Sequence, residues 1–192
     1  MIDADGSTIL LDLFDEFGAT KTEQILALSD DTLKVQNAVV DQITRQVEEK
    51  LDGLPYTGIE VVCGNAFFDA FIAHPRVEES WLRYQESNLV NDMRTGFNYG
   101  GVSFVNYKGS RNGNPLLEIA PDQALAIPMG VPELFIARYA PADYNETVNT
   151  IGLDFYAKSE TMKFDKGMEI ESQTNPIFLC TRPETVVHLT LG

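Results

Sequence analysis

The sequence predicts an α+β chain, and three observations carry that prediction. One stretch, Asp31–Asp52, holds an uninterrupted helical pattern with no Gly or Pro before Gly53. Short β-rich runs punctuated by Gly and Pro dominate from Phe97 onward. The 192 residues are 44% hydrophobic and 10% aromatic. That is enough for one domain of fair size, or two small ones sharing a core.

The helix comes first because the rest is arranged around it. Val35, Val39, Val40, Ile43, Val47 and Leu51 recur three or four residues apart and line one face. Asp30 and Asp31 stand where an acidic cap meets the positive end of the helix dipole, and Lys50 followed by Gly53 marks the other end. The opposite face pairs Asp41 with Arg45 and Gln46 with Lys50, each four apart. At 1.5 Å per residue the helix spans roughly 30 Å, a beam with one side on a sheet and the other facing water or a neighbouring subunit. Nothing on its inward face titrates or binds metal.

Before the beam, Asp3–Ser7 reads as a tight turn around Gly6. Residues Thr8–Phe17 mix two periods, and alternation of Ile9, Leu11 and Leu13 predicts a strand ending near Phe14. Thr22–Ala27 is a second short apolar stretch. After the beam, Ile59–Cys63 between Gly58 and Gly64 predicts a buried strand. Asn65 is the expected cap of a helix burying Phe67, Phe68, Phe71 and Ile72, which His74-Pro75 ends. Pro75 opens another helix through about Val90, anchored by Val77, Trp81, Leu82 and Tyr84.

Phe97–Tyr107 predicts a strand kinked at Gly100-Gly101, and Lys108–Pro115 an exposed loop. Short strands follow at Leu116–Ile119, Ala124–Ile127 and Leu134–Tyr139, and longer ones at Thr147–Lys158 and Met168–Gln173. Ile177–Cys180 and Val186–Leu191 predict a closing hairpin. With helices in the middle and strands at both ends, the first and last thirds are expected to share one sheet, the middle being an inserted lobe.

The formal charge is −15. Residues 1–31 alone set Asp3, Asp5, Asp12, Asp15, Glu16, Glu23, Asp30 and Asp31 against Lys21. Such a surface repels phosphate and argues against tight nucleic-acid binding. Cys63 and Cys180 make no disulfide framework and suit a reducing compartment. No apolar run spans a bilayer, and MIDADGST carries no secretory signal. A chain opening on a turn predicts a natural N-terminal part ahead of it.

Few residues offer chemistry. Asp3-Ala4-Asp5-Gly6-Ser7 has the DxDG(S/T) form of haloacid-dehalogenase-type phosphatases, with Asp3 as nucleophile and Asp5 as acid/base. That alternative lacks the apolar strand needed before Asp3 and a later acidic pair for magnesium. An EF-hand reading puts Met1 at the first ligand position and Asp12 where a bidentate Glu belongs. Cys63 with His74 is a conceivable nucleophile and base, but a cysteine closing an apolar strand reads as core. Cys63, His74, Cys180 and His188 lack metal-ligand spacing. Gly100-Gly101 lacks the lysine or helix of a phosphate cradle. A ligand-binding module would need a pocket lined by the aromatics of Phe67–Ile72; read plainly, these are core. The residues thus predict no catalytic, cofactor or metal site.

A run of motifs is more specific. Cys63-Gly64-Asn65-Ala66-Phe67-Phe68-Asp69, Ala73-His74-Pro75, Phe97–Val105, Pro128–Phe135, Tyr139–Thr150, Gly152–Lys158 and Glu169–Pro183 together resemble the lambda-type phage major capsid protein family, capsid protein E. The opening Asp3–Gly18 resembles it too. Members of that family are longer, with an N-terminal arm and an extended hairpin before this region.

The resemblance implies a tailed-phage major capsid fold with spine helix, peripheral domain and axial domain. Residues 1–57 plus about 146–172 would be peripheral, with 31–52 as spine; about 58–145 plus 173–192 would be axial. It implies a structural head-shell protein of a phage or prophage rather than an enzyme, assembling with copies of itself into pentamers and hexamers around DNA. Scaffold, protease and decoration proteins are further implied partners, with the virion, and the host cytoplasm during assembly, as its locations. Lacking arm and hairpin, this chain is expected to form a monomer or a small ring.

Overall fold

The computed structural model describes residues 8–85, 96–107 and 119–192, with 81–85 as backbone only. The Asp3–Ser7 turn, the Lys108–Pro115 loop, most of the Leu116–Ile119 strand, the helix beyond Gln85, and the Trp81, Leu82 and Tyr84 anchors lie outside the described residues.

Two compact units make up the chain, one of residues 1–132 with 182–192 and one of 133–181. The first is built on a six-stranded mixed sheet. Its strands are β1 (Thr22–Leu26), β2 (Gly58–Cys63), β3 (Phe97–Tyr99), β4 (Val102–Asn106), β5 (Gln123–Met129) and β10 (Val187–Leu191), in the order β1-β10-β5-β2-β4-β3. β1 runs parallel to β10 and β2 parallel to β4; the other pairs are antiparallel. Alternation puts Ile59, Val61 and Cys63 inward along β2. Register then lines up buried Phe104, Val61, Ala126, Val187 and Thr22 across five strands.

A helix over residues 35–51 (α2) packs its stripe into the same core: Val35, Ala38, Val39, Ile43, Val47 and Leu51 are buried. Val35, Val39, Ile43, Val47 and Leu51 follow one another in four steps of four residues, and each step drifts about 40° on a 3.6-residue helix. Val35 and Leu51 would therefore end on nearly opposite faces. The middle of the helix, Val40–Thr44, is wound as a π turn between α-helical Val35–Val39 and Arg45–Leu51, which takes up the drift. The helix starts four residues later than expected. Asp30 instead accepts from the Thr32 amide at 2.9 Å and its hydroxyl at 2.7 Å, holding residues 30–34 in a turn. At the far end Asp52 is left-handed, and Arg182 donates to the Leu51 carbonyl at 3.3 Å, a cation on the negative end of the dipole.

Other expectations are corrected. Residues 8–14 do not form a strand: Asp12 accepts from the Phe14 amide at 2.9 Å and caps a short helix, α1 (Leu13–Phe17), closed by left-handed Gly18. Asn65 is the first residue of α3 (Asn65–Ala73) and not its cap, which is Gly64. His74 ends α3 in an extended conformation, and Pro75 opens α4 (Pro75–Gln85). Gly100 and Gly101, at φ 62° and 85°, form the two-residue turn of a β3–β4 hairpin and not a kink in one strand.

The second unit has two separate strand pairs. β6 (Phe135–Tyr139) pairs with β9 (Pro176–Cys180), and β7 (Tyr156–Thr161) with β8 (Met168–Gln173), both antiparallel. The expected strand from Thr147 is delayed to Tyr156. The Thr147 hydroxyl bonds the Tyr144 carbonyl at 2.8 Å in a 3-10 turn, and Asn149 takes φ 60°. The closing hairpin is also overturned. A 3-10 turn at Pro183–Thr185 separates β9, which pairs with β6, from β10, which joins the first unit's sheet. The middle of the chain is therefore not an inserted lobe: β2 to β5 share their sheet with β1 and β10. α2 and β2 lie in one unit.

Candidate functional site: an exposed hairpin and its unit

The cysteines and histidines singled out for chemistry each have a place in the fold. The Cys63 thiol is fully buried at the end of β2, and burial pushes it up to about 12, against a smaller opposing effect of the Val105 backbone. It is a thiol, not a thiolate, at any physiological pH. His74 is buried, with both nitrogens engaged. Nδ1 accepts from the Arg76 amide at 3.2 Å, so Nε2 carries the proton it gives to the Asp30 carbonyl at 3.1 Å. It pins the α3–α4 junction to the turn before α2 and has no lone pair left to act as a base.

His188 is half-buried on β10 beside the Phe14 ring, centroids 6.4 Å apart. Burial, and secondarily the Lys21 charge, pull it down to about 4, and it is neutral at pH 7. Cys180 is buried at the end of β9, in the other unit from Cys63. No group of three His, Cys, Asp or Glu side chains able to hold a metal occurs among the described residues. Phe67, Phe68 and Phe71 are fully buried, and Phe71 stacks on Phe104 at 4.0 Å, so these aromatics fill the core and do not line a pocket. A Cβ at Gly100 would meet the Val39 side chain of α2 at 3.2 Å, so this side of the turn packs on that helix. Asp3 and Asp5 lie outside the described residues, and no observation favours the phosphatase alternative. No helix among the described residues is long and apolar enough to cross a membrane.

What the molecule does present is surface. In residues 133–181 Leu134, Ala142 and Cys180 are the buried hydrophobics, whereas Ile151 and Phe164 are 90% exposed and Ile170 73%. Hydrogen bonds do much of the holding there. The Asn175 carbonyl accepts from the Ala140 amide at 2.9 Å, and its side chain donates to the Pro141 carbonyl at 3.0 Å. Thr174 donates to the Asp154 carbonyl at 2.7 Å, and the Tyr156 hydroxyl accepts from the Leu153 amide at 2.8 Å.

The β7–β8 hairpin is exposed along nearly all of both strands. Directly opposed residues share a face, which sorts its chemistry. One face carries Tyr156, Lys158, Glu160, Glu169, Glu171 and Gln173. Its base is braced where Lys158 pairs with Glu146 at 3.2 Å and lies over the Tyr144 ring at 5.1 Å. The other face, with Ala157, Ser159, Thr161, Met168, Ile170 and Ser172, carries no charge. A lone hairpin of this kind is marginal in water and needs something to cover it. Sequence reasoning overlooked this surface, although the alternation of small and apolar residues on one hairpin face was there to be read.

Comparison with known proteins gives the chain its relatives. Residues 1–191 match the family model for phage major capsid protein E. The chain is 29% identical over 191 residues to the major capsid protein of Pseudomonas phage KPP10, covering 92% of this chain and 54% of that protein. It is 24% identical over 220 residues to the major capsid protein of Salmonella phage Felix O1 (isolate Felix O1-VT1), covering 97% and 59%. The chain thus spans a little over half the length of these relatives. Among solved structures it is similar to a virus-like particle from Pyrococcus furiosus, at a TM-score of 0.37 and 10% identity over 88% of this chain and 56% of that one. That likeness is too distant to bear on the fold; the match along nearly the whole sequence settles the kinship, and the chain belongs to the phage major capsid protein E family.

Proposed function

We propose that the chain is a structural subunit of a phage or prophage head, associating with copies of itself into pentamers and hexamers of an icosahedral shell around DNA, without chemical turnover. The observation that carries this reading is the unit 133–181, which turns its apolar side chains outward while the groups capable of chemistry are tied up in the fold. Family membership and the likeness to the major capsid proteins of two phages support it. Many modest contacts per subunit sum to a durable shell through multivalency.

The domain roles belong to the same proposal: residues 1–57 plus about 146–172 are peripheral, with 31–52 as the spine helix, and about 58–145 plus 173–192 are axial. The buried stripe of α2, packed on one side against the sheet's core, supports the beam reading of 31–52. The net charge of −15 supports an inner wall that does not grip packaged DNA. The subunit's place is then the virion, reached from the host cytoplasm, with scaffold, protease and decoration proteins as further partners.

Electron microscopy and size-exclusion chromatography of the complete gene product test the reading. Rings or shells are expected. A strict monomer that hydrolyses a phosphate ester with magnesium, and loses that activity on Asp3→Asn, would overturn it. Duplex DNA is expected to migrate unshifted with the protein at low salt.

A further inference from the structure

The tip of the hairpin differs in charge from the rest of the chain. Between β7 and β8, Met162 to Gly167 turn through a 3-10 step in which Phe164 and Asp165 take φ 66° and 59° and the Met162 amide bonds the Gly167 carbonyl at 2.9 Å. This throws the Phe164 ring into solvent, with Lys166 5.8 Å from its centroid. Lys163 and Lys166 outnumber Asp165 here, in a chain of net charge −15. The tip is therefore an apolar knob with a basic rim, continuous with the uncharged hairpin face that bears Ile170 and Met168.

A surface of opposite character lies in the first unit. Ile9, Leu10 and Phe17 are exposed, and Asp12, Asp15 and Glu16 are exposed around them. The lysine near them in sequence, Lys21, is bound to Glu23 at 2.9 Å.

We propose that the hairpin tip of one copy, with its uncharged face, docks on the Ile9–Phe17 patch of a second copy, the lysine rim meeting Asp12, Asp15 and Glu16; this rests on the shell reading above. Apolar contact supplies the association, and opposite charge sets its register. The two surfaces are different patches of one chain, so the contact is head-to-tail and can close a ring. It names the partner as this chain itself.

Photo-crosslinking in the full chain tests it. With a benzoylphenylalanine in place of Phe164, illumination of the associated protein is expected to join the tip to a peptide within residues 8–18 of another copy. Charge exchange gives a second readout. The double variant K163E/K166E is expected to weaken association about tenfold or more at low salt, and adding D15K/E16K in the same chain to restore it. Rings or shells that form with the crosslink elsewhere, or with no loss in K163E/K166E, or with loss that D15K/E16K leaves unrescued, overturn this contact and leave the shell reading standing. A complete gene product that stays monomeric at every concentration overturns both.

Discussion

The two units of this chain solve the problem of stability differently. Residues 1–132 with 182–192 close a core of their own: α2, α3 and one face of the sheet leave Val39, Ile43, Val47, Val61, Phe67 and Phe104 wholly out of water. Residues 133–181 pair strands of the same quality yet bury little, and they hold their loops with hydrogen bonds from Thr147, Thr174 and Asn175. Each fully buried large apolar side chain stabilises by about 1.5–3 kcal/mol, whereas a net hydrogen bond contributes about 1 kcal/mol. The first unit therefore has the means to fold by its own packing. The second leaves its apolar side chains on the surface.

The largest expected effect sharpens that contrast from the side of the core. Phe71→Ala removes a ring stacked on Phe104 and set edge-on to Tyr99 at 5.8 Å, and should cost about 3–5 kcal/mol in chemical denaturation. His74→Ala leaves the Asp30 carbonyl and the Arg76 amide without their partner and should cost about 1–3 kcal/mol by the same measurement.

A third test uses pH. His188 is pulled down to about 4 in the folded state from an ordinary value of 6.5, so between those values the unfolded chain binds more protons than the folded one. Stability therefore falls as pH drops from about 6.5 to about 4 and the loss levels off below; in His188→Gln the melting temperature should vary less across that window. A smaller, kinetic effect concerns Cys63: with its thiol pushed up to about 12 and buried, Ellman's reagent should modify it only as the first unit unfolds. The least effect is expected in the second unit. Phe164→Ser should leave stability within about 0.5 kcal/mol while reducing self-association, and a loss as large as that of Phe71→Ala would erase the distinction between the units.

Local patterns were legible wherever one rule governed them. The β-rich run IEVVC between Gly58 and Gly64 gave β2, His74-Pro75 gave the break between α3 and α4, and Met168–Gln173 gave β8 with its bounds. Misreadings fell where two signals competed. In residues 8–17, alternation of apolar residues outweighed the Asp12 cap and Gly18 stop that make α1. At residues 31–34 a helical pattern yielded to the side chain of Asp30, which bonds Thr32 locally. Repeated steps of four residues already held the reason for the π turn, because a strict 3.6-residue helix could not have buried them all. The exposed apolar surface was hidden for a different reason: Ile170 and Phe164 look like core residues in sequence, and only the fold shows that nothing in their own unit covers them.

The sequence by itself determined the family, the composition of the core and most element positions, because these depend on residue types and on spacings of a few residues. Tertiary structure alone decided which strands share a sheet and where the chain divides. Thr22 pairs with Val187 across most of the chain's length, while β9, which ends seven residues before Val187, pairs elsewhere. Such partnerships are chosen by the burial of whole faces at once, through loop closures whose cost grows only slowly with length, and so neighbours in sequence carry no mark of them.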